Sequence, residues 1–144
     1  MRDLALAVAS IAAMPVVAVL LPLVGYRRLH RILARWPRRP APRFTDPAAA
    51  AARVRVLARV VSAVAGPGRF RATCLRRSLV LWWIARLEGI ETALRIGVRR
   101  EETELRAHAW VEHLGRPVND AADIAEAFPP FDADLAAPLP KGVA

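Results

Sequence analysis

The chain has 144 residues, 55% of them hydrophobic, enough for one domain with a modest core and too apolar for disorder. A single cysteine excludes an intrachain disulfide and any cysteine-based zinc cage, and it suits a reducing compartment. The net charge of +9 permits anionic partners, and it is equally the balance that a composition rich in Ala, Arg and Pro gives with no selection for binding.

Leu4 to Val24 is almost wholly apolar and close to the ~20 residues that cross a bilayer as helix. Arg27, Arg28, Arg31 and Arg35 follow it, a flank that favours the cytoplasmic side. Three readings compete: a helix packed on the domain or on a partner, a membrane span or surface anchor, and a cleaved signal peptide. The last is disfavoured, because the arginines trail the apolar run instead of leading it. Pro15 and Pro22 each remove a backbone donor, which a packed helix tolerates less well than a membrane helix.

Gly25 to Trp36 reads as a basic amphipathic helix with Leu29, Ile32, Leu33 and Trp36 on one stripe. Residues 37–42, with three prolines, form a linker. Asp46-Pro47 is a helix start, since Asp caps and Pro is preorganised for the first turn. The helix runs to Ala65 with Val54, Leu57, Val61 and Val64 inward and Arg53, Arg55 and Arg59 off that stripe, and Gly66-Pro67-Gly68 stops it. Another helix starts near Cys74 and ends at Leu87 before Gly89. Its apolar residues, Trp82 and Trp83 included, cover the whole circumference, which marks a central helix.

The period then changes. Leu94, Ile96 and Val98 alternate with Arg95, Gly97 and Arg99. From Leu105 to Leu114, Leu105, Ala107, Ala109 and Val111 share one face, while Arg106, His108, Trp110 and Glu112 share the other. Gly115-Arg116 suits a tight turn, Pro117 to Asp120 the returning strand, and Asp123 to Phe128 a short helix. The order predicts an α+β fold, helices first and then a small antiparallel sheet. The chain divides into N-terminal helices and linker (1–45), a main domain (46–131) and a loose Ala/Pro-rich tail (132–144).

Cys74 opens a buried helix, where backbone N–H groups and the helix dipole stabilise a thiolate. The competing reading is apolar filler, since free Cys is among the most buried residue types. A nucleophile needs a base. His30 lies among arginines and reads as solvated, and His113 points to the strand face opposite His108. His108, mid-strand between alanines, is the candidate, with Trp110 on its face either shielding it or simply packed. Asp120 lies near His108 in hairpin register and is the candidate to orient its imidazole. Asp123 is the rival, and reads better as a helix cap. His108 and Glu112 are roughly 13 Å apart along the strand, too far for one ion. A mid-helix Ser78 reads as structural.

The runs Cys74-Leu75-Arg76-Arg77-Ser78-Leu79, Ala107-His108-Ala109-Trp110-Val111-Glu112 and Gly115-Arg116-Pro117-Val118-Asn119-Asp120, with Gly97-Val98 between, resemble one family. They are similar to the transglutaminase-like leader peptidases of lasso-peptide biosynthesis (the B2 proteins), over about residues 50 to 131. The resemblance implies a transglutaminase-like, papain-like cysteine protease core with a Cys74-His108-Asp120 triad and no cofactor. It implies a ribosomally made precursor peptide as substrate, a separate leader-recognition protein and a lasso cyclase as partners, no nucleic acid, and work in the cytoplasm with membrane contact open through the N-terminal helix. Arg71, Arg76 and Arg106 are candidates to steer an acidic leader, against the default of solvated charge. Two other classes stay open: a different acyl transfer on the same triad, and a basic membrane-associated adaptor in which Cys74 is filler.

Overall fold

Asp46 caps the longest interior helix as its sequence predicts. Its carboxylate accepts hydrogen bonds from the N–H groups of Ala48 (2.9 Å) and Ala49 (3.3 Å), and Pro47 occupies the first turn. This computed structural model describes residues 2–35, 44–65 and 71–130, leaving aside the side chains of residues 2–7, 10 and 71–73. The predicted linker 37–42, the Gly66–Gly68 stop and the 132–144 tail lie outside the described residues.

The order is α1 (Arg2–Val24), α2 (Tyr26–Arg35), α3 (Pro47–Ala65), α4 (Arg71–Leu87), β1 (Ala93–Glu101), β2 (Glu104–His113), β3 (Arg116–Pro117) and α5 (Ile124–Ala127). It is an α+β fold, with the helices gathered against an antiparallel sheet of order β1-β2-β3. Gly25, at φ +76°, turns the chain between α1 and α2. Gly89, also at +76°, ends α4: its N–H reaches the Arg86 carbonyl (3.0 Å), and the Ile90 N–H reaches that of Ala85 (2.9 Å).

α4 is the centre of the molecule. Leu79, Val80, Leu81, Trp82, Ile84 and Ala85 are all buried, because α3, α1, α2 and the sheet surround the helix. Val54, Leu57, Ala58 and Val61 of α3 join them, with Leu94 and Val111 from the sheet. Arg53 is not the bystander its place off the α3 stripe implies. It donates to both oxygens of Glu88, at 2.9 and 3.0 Å, and so pins α3 to the end of α4.

The N-terminal helices share this core. Ala13, Val17, Tyr26, Leu29 and Leu33 are buried in it, while Val8, Ile11, Val16, Val19 and Leu23 form an exposed apolar face on α1. Among the described residues no helix is long and apolar enough to cross a membrane.

The β1–β2 hairpin pairs Gly97 with His108 and Leu94 with Val111. The second turn is one residue earlier than Gly115-Arg116. Leu114 and Gly115 carry positive φ (51° and 73°), and His113 pairs with Arg116, as a two-residue hairpin loop of the right twist requires. The returning strand is also shorter than expected, ending at Pro117. Proline has no N–H to extend the ladder, and the Asn119 side chain takes the next backbone donor, that of Val111 (2.8 Å).

Candidate active site

The three residues singled out by spacing come together at one end of α4. The helix begins at Arg71, so Cys74 closes its first turn where it was expected to open the helix; it remains within reach of the helix dipole. β2 carries His108 alongside it, and the segment after β3 returns Asp120. His108 Nε2 lies 2.6 Å from Asp120 Oδ2. The other Asp120 oxygen accepts the Ala121 N–H at 2.9 Å, which holds the carboxylate in one orientation. The Cys74 thiol is hydrogen-bonded to His108, and with Nε2 engaged by Asp120 this bond falls to Nδ1. The side chains of His108 and Asp120 are each about one quarter exposed (24% and 25%), so the site is open to a ligand.

The electrostatics follow from that geometry. Burial pushes the Cys74 thiol up, but the hydrogen bond from His108, the Ala109 and Leu75 N–H groups and the imidazolium charge outweigh it, leaving the pKa below the ordinary thiol value. For His108 the hydrogen bond to Cys74 is the largest influence. Burial opposes it, Asp120 adds to it, and the imidazole pKa rises to about 9. Both shifts favour a thiolate–imidazolium pair, the form in which a cysteine is nucleophilic and a proton is held ready for a leaving group.

The remaining candidates separate by their surroundings. His113 is buried on the other side, with its Nδ1–H donating to the Glu91 carbonyl at 2.7 Å. His30 is not solvated: its ring stacks on Trp82 at 4.4 Å and leans on Tyr26 at 5.7 Å. Burial and then Arg86 lower its pKa, because α2 turns that face of the helix onto α4 rather than to water. Asp123 stands at the N-cap position of α5 yet makes no side-chain cap bond: the Ile124 N–H goes to the Ala121 carbonyl, and the Glu126 and Ala127 N–H groups go to the Asp123 backbone carbonyl. Trp110 is fully buried, its indole N–H donating to Glu112 at 2.9 Å. Of the steering arginines, Arg106 pairs with Glu101 at 2.7 Å, and the Arg71 side chain lies outside the described residues.

Two features at the site carry little sequence signal. The Phe128 ring packs against His108 at 5.2 Å, nearer than the Trp110 ring at 6.4 Å, and the Arg99 guanidinium lies over the Phe128 ring at 4.7 Å. Ser78 and Asn119 are joined by a hydrogen bond beneath the three candidates. A repeated contact-bearing side chain at fixed spacing would have marked either one, and neither has that. Among the described residues no group of three or more His, Cys, Asp or Glu side chains is placed to hold a metal ion.

The family model described as transglutaminase-like superfamily matches residues 16–131, which includes α2 to α5 and all three candidate residues. No match was found among curated proteins or among solved structures.

Proposed function

The chain belongs to the transglutaminase-like superfamily, which includes cysteine proteases and acyltransferases, and from that premise we propose that it is a cysteine peptidase with Cys74 as nucleophile, His108 as base and Asp120 as orienting acid. The observation that carries this reading is the unbroken hydrogen-bonded relay from the thiol through the imidazole to the carboxylate, at an open surface. The Cys74 thiolate adds to a peptide carbonyl, and the His108 imidazolium returns its proton to the departing amine. Water, deprotonated by His108, then releases the acyl group as a carboxylate. Asp120 keeps the imidazole in the tautomer that presents Nδ1 to the sulfur, and offsets its positive charge.

The substrate in this reading is a ribosomally made lasso-type precursor, cut at the leader–core junction. Support comes from the CLRRSL, AHAWVE and GRPVND runs, which stand on α4, β2 and the β3 segment, the parts that carry the three residues. A separate leader-recognition protein presents the precursor, and a cyclase closes the freed core. The reaction is cytoplasmic, where a lone thiol stays reduced.

The test incubates a candidate precursor with the chain and its leader-recognition partner, and reads the products by mass spectrometry. Wild type releases the leader, while Cys74→Ala and His108→Ala lower the rate by on the order of 10⁴-fold or more. His113→Ala keeps most activity per folded molecule. In water enriched in ¹⁸O, hydrolysis labels the leader carboxylate. An unlabelled amide joined to an added amine would instead assign acyl transfer, and undiminished cleavage by Cys74→Ala would remove the nucleophile from the reading altogether.

A further inference from the structure

Ser78 is completely buried in the middle of α4, where a hydroxyl needs partners on both sides. It has them. Its O–H donates to the Ala109 carbonyl at 2.9 Å, and its oxygen accepts from Asn119 Nδ2 at 3.0 Å. Asn119 Oδ1 in turn accepts the Val111 N–H at 2.8 Å. The Asn119 amide thereby stands where strand backbone would have continued past Pro117, beside the Val118 N–H that bonds the Val111 carbonyl at 2.9 Å.

Each anchor of this network neighbours one member of the site above it. Ser78 lies one helical turn after Cys74 on the same face of α4, Ala109 follows His108, and Asn119 precedes Asp120. The Ala109 N–H also reaches the Cys74 sulfur, so β2 meets α4 at that residue from two directions. The bonds among Ser78, Ala109, Asn119 and Val111 are direct polar links between helix, strand and returning segment. β3 is too short to hold Asp120 by ladder pairing alone.

We infer that Ser78 and Asn119 are positioning residues that set the distances among Cys74, His108 and Asp120, an inference that rests on the reading of those three as the working triad. Catalytic groups tolerate little displacement: a misplacement of about 1 Å lowers rates by on the order of 10²-fold. Without the Asn119 amide, the segment that carries Asp120 loses its bond to Ser78 of α4 and one of its two bonds to Val111. Without the Ser78 hydroxyl, helix and strand keep their apolar packing but lose the bond that fixes their depth. In either case the thiolate–imidazolium pair loosens while the fold persists.

The experiment measures the thiol midpoint on the full chain, by the rate of alkylation with iodoacetamide across a pH series. Melting temperature and far-UV circular dichroism are recorded for every variant. Ser78→Ala and Asn119→Ala are each expected to raise the midpoint toward that of His108→Ala. The double variant should go further than Asn119→Ala alone, because it also removes the Ser78–Ala109 bond, and Ser78→Thr, which restores a hydroxyl, should return toward wild type. Should Asn119→Ala not fold, Ser78→Ala decides, because it removes one oxygen atom and leaves the Asn119–Val111 bond. Folded variants with the wild-type midpoint would show the pair to be structural only and overturn the inference. A wild-type midpoint equal to that of His108→Ala overturns the triad reading itself, a result distinct from the first.

Discussion

At the scale of single residues, the pair Cys74–His108 sets a pH dependence whose sign can be worked out. The His108 pKa is raised from 6.5 to about 9, so its contribution to folding stability is full below about 6.5 and is lost as the pH rises through about 9. The Cys74 pKa is lowered from 9.0, so its contribution is present above that value and is lost as the pH falls through the folded-state value. The two groups titrate as a coupled pair, and the thiolate–imidazolium form occupies the interval between. Activity is therefore expected to follow a bell whose alkaline limb lies near pH 9, read from kcat/KM across pH. Asp120→Asn should move that limb to lower pH, because the carboxylate is one of the groups holding the imidazolium charged. A substrate-free check is the NMR titration of His108: its midpoint should fall in Cys74→Ala, which removes the largest influence on it. An unmoved midpoint there would mean that sulfur and ring do not interact in solution.

Between elements, the closest fit in the site is at Gly97. β1 presents it directly across from His108, and the chain after α5 crosses it, with a bridge from Gly97 to Pro130 and the Val98 N–H donating to the Pro129 carbonyl at 3.3 Å. A Cβ at this position would lie 2.3 Å from the Phe128 carbonyl oxygen and 2.9 Å from the Phe128 Cβ. Backbone must then shift, so Gly97→Ala is expected to cost about 1–3 kcal/mol in denaturant unfolding. It should also push the Phe128 ring off His108 and lower peptidase activity further than the stability loss alone accounts for. Activity per folded molecule equal to wild type would show that the Phe128 wall contributes nothing to the site. The strand residue is thus glycine because another segment passes through the space a side chain would fill.

Across the whole molecule, α1 and α2 behave as part of one core, since Ala13, Val17, Leu29 and Leu33 are buried among α3 and α4 side chains. Leu29, 1% exposed, is a direct probe of that union. Leu29→Ala should lose about 2–5 kcal/mol, with circular dichroism and tryptophan fluorescence reporting the same single transition. Two separated transitions would instead describe N-terminal helices that fold apart from the α4 core. Polar ties reinforce the union, as the Arg86 guanidinium donates to the Ala34 carbonyl at 2.8 Å while Arg53 grips Glu88. Several of the arginines that dominate the charge are accordingly part of the fold and not only of its surface.

Local signals in the chain determined much of this. The Asp46-Pro47 cap, the all-round apolar α4 and the alternation in β1 and β2 each depend on near neighbours in sequence, and each is readable there. Tertiary structure decided the rest, because it depends on which distant groups share a space. His30 looks solvated on its own helix and becomes an aromatic stack only when α2 docks on Trp82. Hairpin register already sets Asp120 apart from Asp123, but only the fold puts the Asp120 carboxylate 2.6 Å from the imidazole and leaves Asp123 without a cap bond. Ser78 reads as an ordinary helix serine until Asn119 arrives beside it, and Gly97 as an ordinary strand glycine until Phe128 crosses it. Periodicity reports the face a residue presents, but the partner on that face is set by packing, which no short window of sequence contains.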